Sequence, residues 1–289
     1  VYNLCCIANE LKPQHKIQAM TWTRYVQTNH DINTLSQRWL NNVKTTHRII
    51  QHCHENGWGY RVSSSLFPCA THPEFSYTIE QTPAWGQIES VFEQIREDNS
   101  RWGVRLSTHP DQFNVLASDN QQAVDKSIRE LNLHGWLLDQ LGCERSYINP
   151  INIHVNRSKG DPAAIASLFM SNLGRCDDSV RSRLVVENED SGIWSVELLL
   201  RHFGGCLPIT FDNLHHSCNP SIGELEAMVG CADSWRGVRP IFHYSESDCC
   251  SKNPRAHAGR PVGRPVVFDC DWDVELKDKE LAIRDLMVS

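Results

Sequence analysis

Residues 3–13 read NLCCIANELKP. The first six residues predict a short buried strand, and the turn after them holds no glycine. A doubly wound open sheet ordinarily needs a Gly-rich turn at this place, because the backbone must approach a phosphate closely. Without it, the α/β architecture to test against the rest of the chain is a (β/α)8 TIM barrel.

The remaining sequence keeps that rhythm. Further strands are predicted at GYRV (59–62), GVRLST (103–108), INIHV (151–155), RLVVEN (183–188), PITFD (208–212), PIFHYS (240–245) and DVELK (273–277). Between them, residues 35–57 place Trp39, Val43, Ile50 and Cys53 at helical spacing, behind a Thr34/Gln37 capping box. Thr82-Pro83 is expected to open the next helix, whose apolar stripe is Trp85, Ile88, Phe92 and Ile95. A third helix should run from about Asn120 to Leu141 and stop at Gly142. Eight strands alternating with helices over 289 residues is the size of one barrel, and no low-complexity linker or charge run divides the chain. A single barrel domain over 1–289 is expected.

Composition narrows the function. No run approaches the ~18–20 apolar residues that a membrane span requires, and no signal segment opens the chain. An intracellular protein without a membrane partner is expected, cytoplasmic in a prokaryote and nuclear in a eukaryote. The twelve cysteines are scattered, with two adjacent pairs and no C-x-x-C, which predicts free thiols rather than a disulfide frame or zinc ribbon. A net charge of −7 speaks against a basic coat for nucleic acid but leaves room for a local basic groove.

In a barrel, active residues gather at the C-terminal strand ends. Those ends carry His72 after the second strand, His109 and Gln112 after the third, His154 at the fourth and Glu187 at the fifth. Asp212 and His215 follow the sixth, His243 lies in the seventh, His257 in the loop after it, and Glu275 in the eighth. One histidine at a strand end is an ordinary loop residue. So many on one rim, interleaved with carboxylates, predict a multinuclear site for divalent metal, of a type suited to Zn or Mn. His216 should point away from it. Clustered metals serve phosphoryl transfer by activating water and stabilising the leaving oxygen, although sugar isomerases also use paired metals on this rim. Lys252, Arg255, Arg260 and Arg264 lie in an acid-free stretch (251–265), and Arg157 and Lys159 follow His154. Basic loops beside such a rim predict contacts to a DNA backbone.

The ordered set PCATHPEF, LSTHPDQF, IHV, VVENED, FDNLHH, RAHAG and VELKDKE resembles the UV damage endonuclease family, from about Asn9 to Glu280. The resemblance implies an endonuclease IV-like metalloenzyme that acts, as a monomer, on double-stranded DNA containing UV lesions. Its targets would be cyclobutane pyrimidine dimers and 6-4 photoproducts. The damaged strand would be nicked immediately 5′ to the lesion, leaving a 3′-hydroxyl and a 5′-phosphate. Two to three divalent ions are implied, Mn above all, with Zn or Mg as alternatives. Carried over by position, the ligands are His109, His154, Glu187, Asp212, His215, His243, His257 and Glu275. Catalytic roles fall on His72, Glu187 and His243, with His72 near the scissile phosphate. Gln112 and Phe113 match a pair that probes the duplex opposite the lesion, and Asn9 is retained as a further lesion-probing residue.

The sequence departs from the family pattern in three places. Ile241 stands where a metal-binding carboxylated lysine is common, Cys5 where a tyrosine is usual, and Phe113 where tyrosine is common. The first departure bears on metal count, and the second on lesion range. The competing readings are a sugar isomerase or epimerase on the same barrel, and a damage-binding protein without turnover.

Overall fold

The computed structural model describes residues 1–288. Its strands are β1 (Tyr2–Cys5), β2 (Gly59–Val62), β3 (Leu106–Thr108), β4 (Ile151–Ile153), β5 (Leu184–Glu187), β6 (Ile209–Thr210), β7 (Ile241–Tyr244) and β8 (Asp271–Val274). The helices α1 (Trp22–Gln27) and α2 (Ile32–Asn56) follow β1, α3 (Trp85–Trp102) follows β2, and α4 (Gln121–Gln140) follows β3. Then come α5 (Pro162–Leu173) and α6 (Asp178–Arg181) after β4, α7 (Val196–His202) after β5, α8 (Asn213–Cys218) and α9 (Glu224–Ser234) after β6, and α10 (Glu280–Val288) after β8. Every strand pairing is parallel, in the order β6-β5-β4-β3-β2-β1-β8-β7. A single bridge between Asp212 and His243 closes the ring, with the His243 amide donating to the Phe211 carbonyl at 2.8 Å. This is the (β/α)8 TIM barrel expected from the sequence.

The strands are shorter than the sequence suggests, and the eighth lies two residues earlier, so Glu275 stands just beyond its end. Two helix starts also differ. Asp31, not Thr34, caps α2: its carboxylate accepts from the Asn33 amide at 3.0 Å, while Thr34 donates its hydroxyl to that same carboxylate at 2.6 Å. The charged acceptor upstream is the better partner for exposed amides, and it extends the helix backward. Thr82 is not the cap of α3. It gives its hydroxyl to the Ile79 carbonyl at 2.6 Å, closing a short 3-10 turn, and α3 begins at Trp85. The α4 bounds match expectation: the Asn120 side chain accepts from Gln122 and Ala123, and Gly142 takes the left-handed φ of 75° that a side chain would resist.

Alternation along each strand separates two environments. Outward residues such as Leu4, Tyr60, Ile151, Leu184, Val186 and Phe242 are buried against the helices, where Trp39, Phe92, Leu138, Phe169 and Ile283 meet them. The inward layer is unlike the branched aliphatic filling common in such barrels. Registers Cys5↔Arg61↔Ser107 and Asn3↔Asp273 put these residues inside, with Asn152 and Thr210 from the far strands, and all are buried. Val185, Ile241 and Trp235 make an apolar patch on that side. At the N-terminal end of the barrel, Arg105 and Arg239 both bind Asp271, at 2.9 and 2.8 Å.

Between β7 and β8 no helix is found among the described residues. An irregular stretch (245–270) takes its place, and a bridge between Ser247 and His257 brings His257 onto the rim.

Candidate metal centre

The fold carries the strand-end residues onto one rim, around a cavity of ≈ 440 Å³ lined among others by His109, His154, Glu187, His215, His257 and Glu275. Glu187 is its centre. The side chain is buried, and its two oxygens face opposite pairs of histidines. Oε2 lies 3.2 Å from His109 Nε2 and 3.8 Å from His154 Nε2. Oε1 lies 3.1 Å from His215 Nδ1 and 3.2 Å from His243 Nδ1. His243 Nδ1 also approaches Glu275 at 3.4 Å and Asp212 at 4.0 Å.

Three overlapping groups have ligand atoms mutually within 4.8 Å: His109/His154/Glu187, Glu187/Asp212/His215 and Asp212/His243/Glu275. Seven of the eight sequence-predicted ligands are therefore together. His257 stands slightly apart, its Nδ1 3.8 Å from Glu275 Oε2. Its ring is nevertheless oriented, because Nδ1 faces the Glu275 backbone carbonyl at 3.0 Å. His109 and His215 are held likewise, on the carbonyls of Pro110 (3.0 Å) and Asn188 (2.9 Å). A neutral imidazole that gives its Nδ1 proton to a carbonyl keeps a lone pair on Nε2. In His109, Nε2 is the nitrogen that faces Glu187, whereas in His215 Nδ1 faces both the Asn188 carbonyl and Glu187. His216 packs against the Phe211 ring, away from its neighbour.

A divalent cation fits this donor set. Asp212 Oδ2 and His243 Nδ1 are buried without a hydrogen-bond partner among the described residues, although both residues sit in the ligand groups. Burial would by itself raise the Glu187 carboxyl, but the surrounding histidines hold it well below the usual carboxylate range. Burial would lower His215 and His243, yet Asp212 and Glu187 push the first up to about 11, and Glu187 with Glu275 pushes the second up to about 9. His154 goes the other way, down to about 4, because desolvation dominates there. Carboxylates that trap protons on nearby imidazoles form a site with a standing demand for positive charge.

His72 is placed differently. It lines an adjoining groove of ≈ 730 Å³ together with Trp22, Phe113, Lys126 and Glu130. The His72 ring stacks on Trp22, centroids 3.8 Å apart and nearly parallel, and its Nδ1 accepts from the Glu74 amide at 3.3 Å. The preceding residue, Thr71, is clamped to Glu130 at 2.6 Å. Gln112 and Phe113 are exposed, and Phe113 borders both the groove and the rim cavity. Asn9 is exposed too, its side chain accepting from Lys12 at 2.8 Å.

The basic loops are less free than the sequence implies. Arg157 is tied to Asp119 at 2.8 Å, Arg255 approaches Asp190 at 3.4 Å, and Arg260 grips Asp285 with two bonds. The stretch 251–265 has no acid of its own, but folding supplies acids from distant elements. Lys159 and Lys252 are exposed.

The family model described as UV-endonuclease UvdE matches residues 2–289. The chain belongs to the UV-endonuclease family. It is 29% identical over 297 residues to the UV DNA damage endonuclease of Nostoc sp., covering 98% of this chain and 88% of that protein. The solved structure of SacUVDE superposes with a TM-score of 0.82 at 26% identity, over 99% of this chain and 96% of that one. Endonuclease IV from Thermus thermophilus shares the fold, with a TM-score of 0.56 at 17% identity, over 83% and 92% of the two chains.

For a UV-endonuclease family member, Ile241 and Cys5 occupy telling positions. Both face the barrel interior and are buried: Ile241 packs on Val185 and Trp235, and Cys5 lies beside Arg61. Sequence reasoning missed Arg61, Asn152, Asp273, Asn156 and Trp22. For the first three a signal was available. Arg61 is a charge inside an otherwise uncharged strand run. Asn152 lies two residues before His154, and Asp273 two before Glu275, so strand alternation turns them inward beneath the rim.

Proposed function

We propose that the chain is a divalent-metal-dependent DNA repair endonuclease that nicks the damaged strand immediately 5′ to UV photolesions, leaving a 3′-hydroxyl and a 5′-phosphate. The observation that carries this reading is the double-faced Glu187, with His109 and His154 on one oxygen and His215 and His243 on the other. A carboxylate so placed would help hold divalent cations together with the four histidines around it. Ions held there, with Mn the favoured choice, would acidify a water and offset the charge that builds on the phosphoryl oxygens.

The protein's own groups complete the task. Glu187, Asp212 and Glu275 supply the negative charge that holds the cations, and the carbonyl-bound histidines present fixed lone pairs. With Nδ1 accepting from the Glu74 amide, the His72 ring presents Nε2–H, a donor suited to a phosphate or departing oxygen. Phe113, exposed between groove and rim cavity, is suited to wedge into a duplex whose stacking a photolesion has already weakened. Lys159 and Lys252, exposed and without an acid partner among the described residues, are suited to meet phosphates.

The test is a nicking assay on irradiated and intact plasmid, with chelator and with added Mn. Nicks confined to irradiated plasmid and abolished by chelator support the reading. Binding of irradiated DNA without nicking under every metal condition would leave a damage-binding protein instead. Inertness toward both plasmids would reopen the sugar epimerase reading, which assigns Phe113 no role.

A further inference from the structure

Beneath the rim, the barrel axis holds a second set of charges that the proposed chemistry does not use. Asp273 is buried on the inward face of β8, and Arg61 on that of β2. Asn3 donates to Asp273 Oδ1 at 2.8 Å. The other oxygen, Oδ2, lies 3.6 Å from His243 Nε2 and 3.6 Å from Arg61 Nη1. Arg61 Nη1 in turn bonds Glu275 Oε1. The His243 ring is thus set between two carboxylate environments. Nε2 looks down at Asp273, and Nδ1 looks up at Glu187, Asp212 and Glu275.

We propose that Asp273 and Arg61 are positioning residues for the metal centre: Asp273 turns His243 so that Nδ1 faces the cation, and Arg61 holds Glu275 in the ligand group. The inference rests on the reading of His243 and Glu275 as ligands. The physics is that of any imidazole used as a ligand: one nitrogen can bind only if the other keeps the proton, and an acceptor opposite fixes which nitrogen that is. Asp273 faces Nε2, whereas Glu187, Asp212 and Glu275 face Nδ1. An alternative in which Nε2 ligates would require Asp273 to be a ligand. Its oxygens lie in none of the three ligand groups. Arg61 matters for a different reason. Glu275 stands just past the end of β8, where its amide still donates to the Tyr244 carbonyl at 2.9 Å, so the backbone is fixed and it is the side chain that Arg61 holds. One nitrogen, Nη1, meets both Asp273 and Glu275 at the far end of the side chain, and a lysine, whose stem is an atom shorter, would bring its ammonium less close to the pair.

The test uses the full chain, stripped with chelator and titrated calorimetrically with Mn alone. Asp273→Ala and Arg61→Lys should each weaken one Mn equivalent by about tenfold to a hundredfold, the scale on which ligand-supporting partners act. The remaining Mn affinity and the affinity for undamaged duplex should stay as in wild type. Asp273→Asn, milder in volume, should show a smaller loss in the same equivalent if Asp273→Ala does not fold. A wild-type measurement stands beside the variants. With diamagnetic Zn bound, ring ¹⁵N shifts should show His243 ligating through Nδ1 and protonated at Nε2. Wild-type Mn affinity in folded Asp273→Asn and Arg61→Lys, or His243 ligating through Nε2, would overturn the inference while leaving the metal centre standing. If His243→Ala also binds Mn as wild type does, the ligand reading itself falls, and this inference with it.

Discussion

Asn156 donates its side-chain amide to the backbone carbonyl of Gln112 at 2.9 Å, and to that of Asn114 at 3.0 Å, thereby bracketing Phe113. Its own backbone is left-handed, with φ 59°, and its amide donates to Glu189 Oε1 at 2.7 Å. The loop that presents the aromatic side chain is therefore pinned to two neighbouring strand ends, one of which bears Glu187. Asn156→Ala removes both bonds, each worth about 0.5–1.5 kcal/mol, and leaves a strained alanine. The expected outcome is a several-fold loss of preference for irradiated over intact duplex in competition gel shifts, at unchanged metal content. Asn156→Gly, which removes the bonds without the strain, should lose the same preference.

The wedge itself can be removed. Gln112→Ala with Phe113→Ala should weaken binding to a lesion duplex by about tenfold or more, since stacking on an aromatic ring is worth about 1–3 kcal/mol and acts where the helix opens. Intact duplex should be bound nearly as before. Equal losses on both duplexes, measured by fluorescence anisotropy, would mean that the pair merely packs the loop.

Glu187→Gln keeps the size of the side chain and removes the charge between the two histidine pairs. Nicking should fall by at least about a hundredfold, with partial retention of irradiated-DNA binding. Plasmid relaxation under saturating Mn checks this, and near-normal turnover would remove Glu187 from the mechanism.

Stability of the metal-free protein should depend on pH through His215 and His243. Both are raised in the folded state, to about 11 and about 9, from an ordinary value near 6.5. A raised pKa stabilises the fold fully below the unfolded value, and the contribution is lost as pH rises through the folded one. The metal-free melting temperature should therefore fall progressively from about pH 6.5 to about pH 11, with the His243 share lost by about pH 9 and the remainder carried by His215. Bound metal would take the place of those protons, so the decline should flatten in Mn. Thermal melts across that range, with chelator and with Mn, measure the difference, and parallel curves would contradict it.

Ile241 should leave one metal weakly held. It packs on Val185 and Trp235 below the rim and offers no donor, while His257 lies outside the three tight ligand groups. After exhaustive dialysis, metal analysis should find fewer than three equivalents, and nicking should rise with added Mn until the weak site fills. Three retained equivalents with Mn-independent activity would show that another group has taken the ligand's place.

Most of the rim was legible in the sequence because strand alternation and the barrel rule are local and repetitive. A histidine or carboxylate at the end of an apolar run reaches the same face on every strand, and His109, His154, Glu187, Asp212, His215, His243 and Glu275 do so. Helix starts were less legible. Thr34 and Thr82 had the right residue type, but Asp31 and the Ile79 carbonyl competed for the same hydrogen bonds. The long-range charge pairs were invisible. Arg255 meets Asp190, Arg260 meets Asp285, and Arg61 meets Glu275 across 65, 25 and 214 residues of chain. By itself, the sequence determined the barrel, the family pattern and the set of residues on the rim, because these depend on residue type and strand periodicity. Only the tertiary structure decided that Glu187 faces two histidine pairs, that His72 stacks on Trp22 in a separate groove, and that Asp273 stands under His243. Those relationships depend on how closed strands bring distant side chains to a common axis, and no local spacing encodes that distance.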